Sequence, residues 1–157
     1  MQITSSRKPS ASTRTLCKLL ASFFNCDYFN RGKMGMGEVL RHADVSSLMI
    51  VGEYHGNPGS ISMYDPDGFC VLSVYISLVV SKEPYPRSRQ AEPSIAGEGE
   101  LVSAFSKLLP LGGNEEPLSS LKMMVSDDRI DFIEADVTLF TLKIRSYRIF
   151  DGDGNCS

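Results

Sequence analysis

Residues 47–80, SLMIVGEYHGNPGSISMYDPDGFCVLSVYISLVV, decide the fold. "SLMIVGEY" is a nearly continuous apolar run, the mark of a strand covered on both faces. "SISMY" alternates, and in "CVLSVYISLVV" Leu72, Val74, Ile76, Leu78 and Val80 share one face of a long strand. Pro58 and Gly59 within "NPGS" stand in the order of a type II turn, and "DPDG", Asp65 to Gly68, fits a type I turn. The spacing predicts a three-stranded meander.

Upstream, "QITSS" reads as a short strand that leaves through "RKPSASTR" for a helix. Ser10 is placed to cap it, since its hydroxyl can accept from the first free amides. Leu16, Leu20 and Phe23 recur at helical spacing, with Cys17 and Phe24 widening the apolar stripe. Arg14 and Lys18, four residues apart, take the opposite face. "CDYFN" is a second short strand, and a short helix is expected at 36–43.

Downstream, residues 82–97 are rich in proline, glycine and charge and read as a linker. A helix follows at 98–109, ended by Pro110. "SLKMMVS", "RIDFIEAD" and "VTLFTLKIRSYRIF" supply three more strands. The second half, 98–157, thus repeats the plan of the first, 1–81: helix, then meander. No residue-level repeat is visible. The expected class is α/β, with two similar half-domains of mixed β-sheet flanked by helices.

Composition excludes several classes. The chain has 157 residues, 42% hydrophobic and 22% charged, and no apolar run approaches a membrane span. A cytoplasmic protein is expected. The four cysteines, at 17, 26, 70 and 156, form no C-x-x-C pair, and two histidines are too few for a metal site. Cys17 and Cys70 suit a core. "DGDGNCS" resembles the start of an EF-hand loop, but the later ligands do not follow, so it reads as a frayed tail. No cofactor is indicated. A catalytic pair would have to recruit His42 or His55, which lie in no catalytic motif. The acid pairs at 115–116 and 127–128 read as solvated turns, so no enzyme is expected.

Charge is polarised. The net is −3, yet residues 1–41 carry a local +5 and the remainder −8, a pattern that hints at a polyanion on one face. The glycine-rich stretch "FNRGKMGMGEVL", 29–40, is not a P-loop: Gly32-Lys33 is followed by Met34, and Asp27 stands where the first glycine belongs. Its glycines do not fit the dinucleotide fingerprint either. It suits a longer ligand. RNA presents a line of phosphates, which calls for spaced cations and exposed amides. "SSRKPS" and "NRGK" supply both, each after a short strand, so a parallel arrangement puts them at one sheet edge. The candidate RNA-contacting residues are Ser5, Ser6, Arg7, Lys8, Arg14, Lys18, Asn30, Arg31 and Lys33. Thr141, Lys143, Arg145 and Arg148 read as a solvated face, and His55 as a hairpin hydrogen-bonding residue in preference to one that stacks on a base.

"ITSSRKPS" at 3–10, "FNRGK" at 29–33 and "VGEYHGNPGSISMYDPDGFCVLSVYIS" at 51–77 resemble, in order, the Brix domain family, and among its members the Imp-type proteins. The resemblance implies two halves related to the anticodon-binding domain of class II aminoacyl-tRNA synthetases. It also implies a part in ribosome assembly, with precursor ribosomal RNA as partner and ribosome-assembly proteins beside it. The chain looks like a compact archaeal-type form, without the long basic extensions of many eukaryotic members. The alternative is a scaffold that docks a ribosomal or processome protein without touching RNA.

Overall fold

The computed structural model describes residues 1–43, 46–87, 92–111 and 120–150. The tail at 151–157 and the acid pair at 115–116 lie outside the described residues. The elements run β1 (Gln2–Ser5), α1 (Ala11–Phe24), β2 (Asp27–Tyr28), α2 (Met36–Ala43), β3 (Leu48–Tyr54), β4 (Asn57–Tyr64), β5 (Cys70–Val80), β6 (Ser94–Gly97), α3 (Glu100–Leu108), β7 (Leu121–Val125), β8 (Arg129–Glu134) and β9 (Val137–Ile149).

All the described strands join one mixed sheet in the order β2-β1-β3-β4-β5-β9-β8-β7-β6. The expected meander is present: β3, β4 and β5 pair antiparallel. β1 lies parallel to both β2 and β3, and β6 lies parallel to β7. The two halves meet where β5 pairs antiparallel with β9. Read outward from that seam, the order β5-β4-β3-β1 matches β9-β8-β7-β6.

The match extends to residues. Ile3 sits beside Met49 and Ser5 beside Val51; Ile95 sits beside Met123 and Gly97 beside Val125. A short residue-level echo therefore exists, contrary to expectation. It escapes a linear reading because β1 and β6 are only four residues each. Ser94–Gly97 also lie inside the stretch read as linker. Pro93 and two glycines disguise an edge strand, where such residues are tolerated.

One turn differs from the sequence reading. The β3–β4 hairpin turns at His55-Gly56, with φ of 51° and 77°, and not at Pro58-Gly59. Two positive-φ residues suit the twist of a hairpin better than a type II turn would. Pro58 instead opposes Glu53 next to an irregularity in the register, where a missing N–H is tolerated. Gly59 serves close approach, since a Cβ there would come within 2.6 Å of Tyr54 Cβ. The Asp65–Gly68 turn forms as expected, with Gly68 N–H donating to the Asp65 carbonyl at 3.0 Å.

Helix α1 starts where the sequence places it: Ser10 accepts from the Thr13 N–H. Asn25, at φ 52°, ends it in the left-handed region. Its buried stripe, Leu16, Cys17, Leu19, Leu20, Phe23 and Phe24, packs on one sheet face. Phe23 reaches across the seam to Phe132 at 5.0 Å and Phe140 at 6.4 Å. The halves therefore share one core, which α3 joins through Leu101 and Phe105. Helix α2 covers the other face, its Val39 and Ala43 packing with Leu48 and Ile50.

Candidate functional site

The site grows from the parallel triplet β2-β1-β3. Both β1 and β2 leave the sheet at the same end, so the loops that follow them are neighbours. Two bonds lock the exit: Thr4 Oγ1 donates to the Phe29 carbonyl at 2.8 Å, and Ser6 N–H to the Val51 carbonyl at 2.9 Å. Gly32 then reverses the second loop at φ 58°, an angle that costs other residues more than glycine. The Met34 N–H closes that turn onto the Arg31 carbonyl.

This geometry brings Arg7 and Arg31 together. Each donates through Nε to the same acceptor, the Met34 carbonyl, at 3.4 Å and 3.0 Å. Arg31 Nη1 also lies 3.5 Å from the Ser5 carbonyl. Among the described residues the ion pairs are Arg87–Glu83 and Arg129–Asp131, and neither involves this cluster. Partial burial lowers the Arg31 pKa, the charge of Arg7 lowers it further, and Tyr64 partly offsets both. Two guanidinium groups thus lie close enough to repel, with no carboxylate among the described residues to neutralise them. An anion would relieve the repulsion.

Lys8 and Lys33 are exposed on either side. Asn30 accepts from the Tyr28 hydroxyl at 3.1 Å, and Tyr28 in turn feels the charge of Arg14. Arg14 is exposed in the first turns of α1, the helix that the rim loop leads into, and Lys18 lies one turn further along the exposed face. Ser6 is half-buried. Ser5 is a correction: it is fully buried, and its hydroxyl donates to the Ser6 carbonyl at 2.8 Å. It shapes the loop and offers no surface to a ligand.

Sequence reading missed three parts of this end. The Met34 carbonyl, which gathers both arginines, carries no side-chain signal. Glu53 accepts from the Ser10 N–H and pins the Arg7–Lys8 loop to the β3 end; these bonds hold its carboxyl below the usual range. Tyr54 and Tyr75, large rings left well exposed on strands, could have been noticed from their alternation. Of the comb on β9, Thr141 donates to Asp131 at 2.6 Å and Arg145 to Ser77 at 3.1 Å. Arg148 lies over Phe150.

The opposite end of the sheet holds the matching positions of the second half, and there the charge is reversed. Gly97 is followed by Glu98 and Gly99 before α3 begins. Tyr147 donates its hydroxyl to Glu100 at 3.0 Å. That bond, with Glu100 and Asp127 nearby, raises the tyrosine pKa.

A sheet of mirrored halves with one cationic end defines the class, and comparison with known proteins supplies the family. No family model matches the chain. A protein of Methanococcoides burtonii is 46% identical over 149 residues, covering 94% of this chain and 96% of that one. One of Methanosarcina barkeri is 42% identical over 156 residues, covering 94% and 99%. Both bear the name "Probable Brix domain-containing ribosomal biogenesis protein". The crystal structure of Mil, an archaeal Imp4-like protein, superposes with a TM-score of 0.77 at 25% identity, covering 96% of this chain and 99% of that one. A second structure, from Aeropyrum pernix, shares the fold with a TM-score of 0.74 at 22% identity, covering 91% and 93%. The chain belongs to the Brix domain-containing ribosomal biogenesis proteins. Among the described residues no helix is long and apolar enough to cross a membrane.

Proposed function

We propose that this protein binds precursor ribosomal RNA along the cationic rim and assists its folding and processing in the cytoplasm, without catalysing a reaction. The observation that carries the reading is the convergence of Arg7 and Arg31 on one carbonyl, with no acid among the described residues to pair either. A cation held by a neutral acceptor keeps its charge available for a phosphate, whereas a salt bridge would spend it inside the protein. Arg7, Lys8, Arg31 and Lys33 form the centre of the contact, with Ser6 and Asn30 between them and Arg14 and Lys18 extending the track. Such contacts position a backbone and read no sequence by themselves.

Binding measured against salt tests the proposal. About four phosphate contacts predict that log affinity for single-stranded RNA falls against log salt with a slope of about −3. Absence of salt-dependent binding would sink it. A second reading has its own observation: the acidic end at Glu98, Glu100 and Asp127 suits a basic assembly protein. RNA at one end and protein at the other are compatible.

A further inference from the structure

Strands β4 and β5 part at the same end of the sheet as the rim. Ser60 pairs with Tyr75, and past that point β5 runs on to Val80 alongside β9. The start of β4 meanwhile turns to pair Pro58 with Glu53. The opening is a groove of about 780 Å³, a size that suits a small ligand or a short stretch of a polymer. Tyr54 and Tyr75 line it while remaining 62% and 53% exposed. The His55 ring stands edge-on to Tyr54 at 4.2 Å. Arg145 is skipped by the β5–β9 register, since Tyr75 opposes Ser146 and Ile76 opposes Ile144. Its guanidinium is steadied by Ser77 and has no acidic partner among the described residues.

The groove and the rim share a wall. The chain that carries Arg7 and Lys8 continues to Ser10, held by Glu53, and Ser12, whose hydroxyl donates to the Gly56 carbonyl at 3.3 Å. A strand whose phosphates lie on the rim would therefore find flat π-faces and a further cation next along its path. Exposed aromatic rings beside cations suit unpaired bases, because every base offers a face to stack. Duplex RNA keeps its bases stacked inside and would gain nothing there.

We propose that this groove takes an unpaired base of single-stranded RNA, stacked on Tyr54 and Tyr75 with a neighbouring phosphate on Arg145. The proposal rests on the RNA reading above. Both rings are exposed, so the double variant Tyr54→Ala/Tyr75→Ala should fold, and circular dichroism checks that it does. With a uridine decamer it should bind about 10- to 100-fold more weakly than the parent, with an unchanged salt slope. Tyr54→Phe/Tyr75→Phe should retain affinity, and a blunt RNA duplex should bind both parent and alanine variant alike. Unchanged decamer affinity in the alanine variant, or an equal loss for decamer and duplex, overturns the groove and leaves the rim standing. If the parent binds no RNA at all, the rim reading fails by itself, and uridine monophosphate then decides the groove by NMR. Shifts in the Tyr54 and Tyr75 ring signals sustain it; unmoved signals overturn it and leave the opening to an extended polypeptide.

Discussion

The loop after β1 and the loop after β6 occupy matching places in the two halves and carry opposite chemistry. The first runs Ser6-Arg7-Lys8-Pro9-Ser10 and is followed by a capped helix. The second is Glu98-Gly99, followed by a helix with no side-chain cap. The strands around them keep their apolar partners, Ile3·Met49 against Ile95·Met123. What repeats is what the core needs, and what diverges is what solvent sees. The reversal separates the two ends electrically, because the ends of a sheet this long lie beyond the roughly 8–10 Å over which salt screens exposed charge.

The shared core sets the largest expected effect. Phe132 belongs to the second half but packs on Phe23 and Phe24 of α1 and stacks with Phe140 at 4.3 Å. Phe132→Ala should cost about 3–5 kcal/mol, a large part of the stability of a domain this size. Calorimetry should show one transition shifted to lower temperature. Two transitions, with one unmoved, would mean that the halves fold separately.

Next comes the rim itself. Reversing Arg7, Lys8, Arg31 and Lys33 to Glu should weaken RNA binding by about 100-fold and bring the salt slope close to zero. Arg7, Lys8 and Lys33 are exposed and Arg31 is half-buried, so folding should survive, and circular dichroism checks that it does. The complementary change sharpens the contrast. Glu98→Lys, Glu100→Lys and Asp127→Lys together would make the far end resemble the rim, giving a gain of about tenfold at low salt and a slope steeper by about 2. Asp128 is left in place because it accepts from the Ser126 hydroxyl at 2.8 Å. No gain would show that the rim works by shape as well as by charge.

Legibility in the sequence follows the range of the interaction. α1, its Ser10 cap and the long strands β5 and β9 are visible because periodicity over many residues repeats one signal. β6 is invisible because four residues hold too few repeats and its pairing with β7 is remote in sequence. The candidate site divides in the same way. Arg7 and Arg31 announce themselves by type, and their adjacency follows from two short strands exiting together. Their common acceptor is a backbone carbonyl, which any residue could have supplied. Ser5 looked available because a hydroxyl beside two cations suits phosphate, but strand alternation turned it into the core. The groove needed the β4–β5 divergence, a departure from regular pairing that regular patterns cannot announce.

The smallest effect probes the caps, where α1 is held by Ser10 and Glu53 and α3 has no side-chain cap. Glu53 stands two residues beyond Val51 and Asp127 two beyond Val125, so the carboxylates are positional counterparts. Glu53 accepts from the Ser10 N–H and is held below the ordinary carboxylate range by that bond first, then by the Thr13 side chain. A depressed folded-state pKa gives stability that is present above the unfolded value of about 4.3 and is lost as pH falls through the folded value. Glu53→Gln should therefore cost about 0.5–1 kcal/mol near neutrality, discounted for its exposure. The gap from the parent should narrow as pH falls below the unfolded value and close only once it falls below the depressed folded value, where the folded parent's carboxyl is protonated too. Asp127→Asn should stay within about 0.5 kcal/mol near neutrality, since α3 has no side-chain cap to lose. Chemical denaturation of both variants from pH 3 to pH 7 separates the outcomes. An equal penalty at both positions would mean that the second helix is anchored as firmly as the first, and the asymmetry would then lie in charge alone.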